Sequence, residues 1–471
     1  MSMRRKPKEK QSDLWIATGD LARTPGHPFY DRLNAVLAEA GFDEFVEGRC
    51  ERFYADGKGR PSIPPGVYMR MLLVGFFEGL DSERGIAWRC ADSLSLRQFL
   101  GYSVTDRTPE HSSLCRIRQR LDLDVHQEVF TFVLKVLAQK GLLEGRTIGV
   151  DATTLEANAA LRSIVRRDGG STYHEYLESL AKASGIATPT REDLARIDKK
   201  RPRKGSNDDW KSPHDPDARI VKQKDGRTHL AHKAEHAVDL DSGAVLAVTV
   251  QEATVGDPST MRRTIERAVH GVLDVHADPA CAGALSERAL TEWVADKGYH
   301  SNATMEMVDQ AGMRSYVSEP KRGRRRWKDK AIAKRGTYAN RRRLATKRGK
   351  QLMKRRGELL ERTFAHCLET GAMRRLHLRG RENILKRYLV HVAGFNLSLI
   401  MRGIMGVGTP RGLQGRCAAL VAALVATLRD FPRICRWAVV GLCREIGRLT
   451  QLDSVAPPAR SAAGEPSSTG C

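Results

Sequence analysis

Asp151, Asp296 and Glu361 stand in settings that would fix their carboxylates in space. Asp151 ends the apolar run Thr147-Ile148-Gly149-Val150, Asp296 follows Trp293-Val294-Ala295, and Glu361 lies on a helix-period stretch behind a dense Lys/Arg block. An acid at the end of a buried strand is carried to the rim of a sheet. Two such rims and one helix can converge on hard divalent cations, which take oxygen ligands. In a chain with a formal charge of +23, these groups suggest metal-dependent cutting or joining of nucleic acid. Asp151 is the natural bridging ligand because a strand end in mid-sheet is rigid, with Asp296 on a neighbouring strand and Glu361 on a helix laid across the sheet. On an ideal helix Glu361 projects within about 20° of Leu368 and about 60° of Phe364, which predicts a carboxylate along the packed face.

Plainer roles account for the neighbouring groups. An Asp after a short strand is most often a turn or cap residue. Glu358 is spaced for an i,i+4 ion pair with Arg362, and Asp257, just before Pro258, reads as a helix N-cap. Lys297, Tyr299 and His300 are support residues that could touch phosphate or the scissile strand, or simply connect a strand to a helix.

The elements that must position these acids follow from the pattern. At 471 residues, 41% of them hydrophobic, the chain is long enough for two or three domains with their own cores. The charge attracts phosphate backbones or anionic membranes. Nucleic acid is favoured, because the longest apolar stretches, Cys417 to Leu428 and Ile434 to Cys443, fall short of the ~20 residues that span a bilayer and read as packed helices. The basic N-terminus has no apolar segment after it, so no secretory signal is expected and the chain is placed in the cytoplasm. Nine scattered cysteines without a CxxC pair fit neither a disulfide framework nor a zinc site.

Residues 1–140 read as helical. Pro28 and Gly41 bracket a helix bearing Phe29, Leu33, Leu37 and Ala40, and Pro65 opens an apolar stretch from Met69 to Phe77. A helix start at Thr108 to Ser113 precedes Arg116, Arg118 and Arg120, compatible with helix-turn-helix reading of DNA or with a solvated Arg face on an ordinary bundle. Residues 141–405 read as α/β: a strand at 146–152, a polar insertion at 156–230 with one short helix and little core, a hairpin turning at Leu240 to Gly243, a helix opened by Pro258, and a strand at Thr291 to Asp296. Residues 321–356 hold eighteen Lys or Arg against one acid, Asp329. This segment is expected to track phosphates beside the site, with Trp327 anchoring it. Residues 406–453 read as C-terminal helices and 454–471 as a disordered tail.

Ile148-Gly149-Val150-Asp151-Ala152-Thr153-Thr154 and Val294-Ala295-Asp296-Lys297-Gly298-Tyr299 resemble the first and second aspartate motifs of bacterial insertion-sequence transposases with a DDE triad. Glu361 to His366, then Arg374-Arg375, Leu378 to Arg381 and Asn396-Leu397, resemble their glutamate region. Asp106 to Ser112 with Arg116 and Arg118 resembles their helical leader, and Asp215-Pro216-Asp217-Ala218-Arg219 their spacer. Many relatives carry Tyr, Arg and Lys at fixed offsets around the glutamate; here Lys354, Gly357 and Leu368 occupy those places. The likeness spans roughly residues 25–405. It implies an RNase H-like mixed sheet behind an all-α leader, with Asp151, Asp296 and Glu361 binding Mg²⁺ (or Mn²⁺) and strand cleavage and transfer at terminal inverted repeats. It also implies binding to the double-stranded transposon ends and target DNA, as a homodimer or larger assembly. Arg116, Arg118, Arg120, Lys297, Arg324, Arg325, Arg326, Arg341, Arg342 and Arg343 are the expected DNA contacts. A nuclease that cuts without joining, and a non-catalytic DNA-binding derivative, are the alternatives.

Overall fold

A computed structural model of the chain describes residues 17–413 apart from 18, 20, 56–61, 202–204, 223–225, 322 and 324. The expected helices between Cys417 and Leu452 and the 454–471 tail lie outside the described residues. The helical leader comprises α1 (Pro28–Glu39), α2 (Phe42–Cys50), α3 (Pro65–Glu78), α4 (Glu83–Asp92), α5 (Leu94–Phe99), α6 (His111–Arg120) and α7 (Leu123–Gln139). Its boundaries follow from local chemistry. Proline opens α1 and α3 where a missing N–H costs nothing. Gly41 and Gly79, at φ 69° and 68°, take the left-handed turns that separate helices. The α1 stripe of Phe29, Leu33, Val36 and Leu37 is buried.

The α/β part follows as β1 (Thr147–Glu156), β2 (Val165–Arg166), α8 (Tyr173–Ala183), α9 (Arg191–Lys200), β3 (Trp210–Lys211), β4 (Arg219–Lys222), β5 (Thr228–Asp239), β6 (Val245–Glu252), α10 (Asp257–His276), β7 (Glu292–Ala295), α11 (Asn302–Gln310), β8 (Arg314–Val317), α12 (Ala331–Ala345), α13 (Lys347–Ala365) and α14 (Arg381–Met405). One mixed sheet organises it, in the order β6-β5-β1-β7-β8. β6, β5 and β1 pair antiparallel, whereas β1, β7 and β8 run parallel. β4 extends the sheet along the start of β5. All four residues of β7 are buried, as expected of a parallel strand covered on both faces. α10 packs on one face of the sheet, and α13 and α14 on the other.

The insertion is more structured than its polarity suggested. A second helix, α9, joins α8, and both start with capping boxes: Thr172 with Glu175, and Thr190 with Asp193. Leu177, Ala181 and Leu194 form a small core between them, and Trp210 sits in another with Ile164, Ile220 and Leu230. The insertion ends on Asp215 and Asp217, which cap a helix more than 160 residues on. Gly380 donates its N–H to Asp215 Oδ1 (3.2 Å) and Arg381 to Asp217 Oδ2 (3.0 Å) at the start of α14, where carboxylates also suit the helix dipole.

α14 is the molecule's central strut. The stretch Arg381–Leu413 is long and apolar enough to cross a membrane by length and composition, and 67% of its most apolar window is buried inside the fold. α3 and α7 of the leader pack on α14, which also contacts β6, and the described residues up to Pro410 form one compact unit. Asn396 fixes its register on the sheet: fully buried, its amide accepts from Val245 N–H and donates to Val245 O, both at 2.9 Å. Asn396→Ala strands both backbone groups and is expected to cost about 2–4 kcal/mol, at one to two per orphaned group, read as a lower denaturation midpoint at unchanged slope.

Candidate active site

The parallel pairing of β1 with β7 sets Val150 opposite Ala295, so Asp151 and Asp296 follow at the same level; Asp296 lies just past the end of β7, whereas Asp151 sits inside β1, which runs on to Glu156 instead of ending at residue 152 as expected. Two carboxylates in this position repel. Burial raises the Asp151 pKa, the Arg356 guanidinium lowers it and the Asp296 charge raises it again, leaving it above the ordinary carboxylate value. Arg356 Nη1 reaches Asp151 Oδ2 at 2.8 Å with only 13% of its side chain exposed, and its Nε is buried without a partner. The Ala152 N–H donates to Asp151 Oδ1 (2.9 Å). His236, opposite Asp151 on β5, is no counter-charge: burial pushes it down to about 3, and its ring pairs with Thr363 Oγ1 and Tyr388 Oη.

Glycines permit these approaches. A Cβ on Gly149 would lie 2.6 Å from Leu240 and 3.1 Å from Leu360, so the glycine two residues before Asp151 lets α13 lie close on the sheet. A Cβ on Gly298 would lie 2.5 Å from Asp257 Oδ2 and 3.0 Å from Asp296 Oδ1. Asp257 therefore stands beside the site. It is not the N-cap expected from Pro258: Gly256 is, with no side-chain cap bond, and Asp257 is the first residue of α10. Its carboxylate is held instead by Lys233 Nζ at 2.5 Å.

Glu361 does not join the two aspartates. It is exposed on α13, five residues beyond Arg356, and among the described residues no three His, Cys, Asp or Glu side chains come close enough to hold a metal ion. The expected packed face fails because Leu368 is buried on a π-helical turn, His366–Thr370, whose wider winding breaks the phase that linked the two residues. The buried face of α13 carries Leu352, Leu359, Leu360, Thr363 and Phe364. Glu358 pairs with Arg362 at 2.7 Å, as its spacing predicted. Two neighbouring carboxylates nonetheless suit a hard cation that keeps part of its water shell, and the Asp296 charge adds to burial in raising the Asp151 pKa.

The expected DNA contacts separate into exposed and committed groups. Arg116, Arg120, Lys297, Arg326 and Arg342 are exposed, Arg120 lying over the Tyr54 ring. Arg118 is largely buried in an ion pair with Glu83. Arg341 is bidentate to Glu319, Arg325 pairs with Glu319 and lies over Trp327, and Arg343 is tied to Ser315. Arg324 lies outside the described residues. Trp327 packs near Tyr338 of α12, inside the basic segment itself, so this contact does not anchor that segment to the rest of the fold. Tyr299 and His300 are buried and so cannot touch a DNA strand. Arg356 and Glu235 went unnoticed in the sequence; an Arg five positions before a suspected acid gives no signal of its own.

Residues 20–120, from ahead of α1 to the end of α6, match the family model of a transposase domain (DUF772). This stretch is similar to a transposase domain. No curated protein and no solved structure matches the chain. The matched stretch carries Arg116 and Arg120, whereas Asp151, Asp296 and Glu361 lie beyond it.

The Asp151 site makes a pH prediction. A raised folded pKa means that this group's contribution to stability is present below the unfolded pKa and lost as pH rises through the folded one. Arg356→Gln removes the charge that opposes the shift, so it should lose more stability than the unmutated chain as pH rises above the ordinary carboxylate range, measured by urea unfolding.

Proposed function

We propose that the chain is a DDE transposase with an RNase H-like catalytic core, cleaving DNA at the terminal inverted repeats of an insertion sequence and joining the freed ends to target DNA. The observation that carries this reading is that Asp151, on β1, and Asp296, just past the end of the parallel strand β7, follow paired residues of the two strands. The order of three antiparallel strands followed by two parallel ones supports the RNase H-like assignment, and the transposase-domain match supports the biological role.

Asp151 and Asp296 would hold Mg²⁺ or Mn²⁺, and Glu361 would complete the set once DNA engages α13. Such ions supply an activated nucleophilic oxygen and stabilise the leaving oxygen of the phosphodiester. Asp151 is kept rigid by the sheet, and Arg356 balances its charge. Lys297, exposed next to Asp296, and the exposed bases of α12 and α13 would bind the backbone, making affinity steeply salt-dependent. Arg116 and Arg120 on α6 would face the terminal repeat, and joining two ends implies a dimer or larger assembly. The separation of Glu361 from the aspartates favours one rival, a DNA-binding derivative without catalysis.

DNA carrying the element's own ends, incubated with Mg²⁺ or Mn²⁺, separates these readings. Unmutated protein should nick the ends and, given target DNA, form joined products. Asp151→Ala, Asp296→Ala and Glu361→Gln should each bind DNA as before and lose both products. Nicking without joining would indicate a nuclease, and tight salt-sensitive binding with no product would indicate the non-catalytic derivative.

A further inference from the structure

The turn that carries Asp296 is anchored from behind the sheet. Asp296 opens a short 3-10 turn, accepting from Gly298 N–H at 2.8 Å through Oδ1. Tyr299 ends that turn, fully buried, and its phenol donates to Glu235 Oε1 at 2.8 Å. Glu235 lies on β5 opposite Ala152, so alternation points it to the sheet face away from Asp151. There it receives Thr260 Oγ1 (3.0 Å) and Thr264 Oγ1 from α10.

Packing alone does not explain this choice of residues. Glu235 is 0% exposed, and a buried carboxylate is costly even when hydrogen-bonded. A Phe against an apolar side chain would fill the same space at less cost. What the Tyr–Glu pair adds is direction: one bond fixes the height and rotation of the turn on which Asp296 sits, while α10 fixes Glu235. We infer that Tyr299, through its hydrogen bond to Glu235, is the positioning residue that holds the Asp296 carboxylate level with that of Asp151. The inference rests on the metal-binding reading above and deepens it.

The test is Mn²⁺ affinity of the full chain, measured by electron paramagnetic resonance without DNA, with thermal unfolding of every variant. Tyr299→Phe keeps the ring and removes only the bond to Glu235; it should fold and lose affinity on the order of tenfold, the scale for groups that orient metal ligands. Asn396→Ala loosens α14 on the sheet away from the Asp296 turn, and should leave affinity unchanged even where it lowers the melting temperature. Equal losses in both variants would reduce Tyr299 to general packing and overturn the inference. So would unchanged affinity in Tyr299→Phe alongside a loss in Asp296→Ala. If Asp151→Ala and Asp296→Ala themselves leave Mn²⁺ binding untouched, the metal reading falls, and this inference with it.

Discussion

The parallel pairing of β1 with β7 is the constraint on which the site depends. Their register sets Asp151, within β1, beside Asp296, which follows the last residue of β7, so two acids are presented side by side. The cost is first that of burying the Asp151 carboxylate, with the Asp296 charge adding to it, and it appears as the raised pKa of Asp151. The surroundings are arranged around that cost. Gly149 lets α13 close on the sheet, and α13 delivers Arg356 to the acid; His236, neutral by burial, leaves the balance to arginine alone.

The charge of +23 overstates the positive surface that is free for DNA. Arg118 braces α6 against Glu83 of α4, Arg348 braces α13 against the buried Glu292 of β7, and Arg341 with Arg325 grips Glu319. Arginine suits this use, because its planar fork meets a carboxylate with two bonds and keeps its charge when partly buried. Composition thus counts together residues that tie helices to the sheet and residues that face outward.

Much of the scaffold was legible because its signals are local. Pro28, Gly41, Pro65, the β-branched run before Asp151 and the Gly243 turn each act within a few residues, and helices and strands stand where they point. The neighbouring levels of Asp151 and Asp296 were legible from the apolar run before each acid, but the end of β1 was not, since the strand continues past Asp151 to Glu156. What escaped depended on distance or phase. The capping boxes at Thr172 and Thr190 were readable, but the polarity of the insertion obscured them. The position of Glu361 was inferred from an unbroken helical period that a π turn interrupts. Asp257 looked like a cap because nothing nearby shows that Lys233, on another strand, reaches for it.

The caps on α14 bear on how the chain comes to be ordered. Asp215 and Asp217 are synthesised long before the helix whose first turn they satisfy, and that helix is packed by both the leader and the sheet. Closing so long a loop is entropically slow to reward. The insertion, the sheet and the leader therefore lean on one helix that follows all three in the chain, and the two acids at its first turn tie the insertion to that shared support.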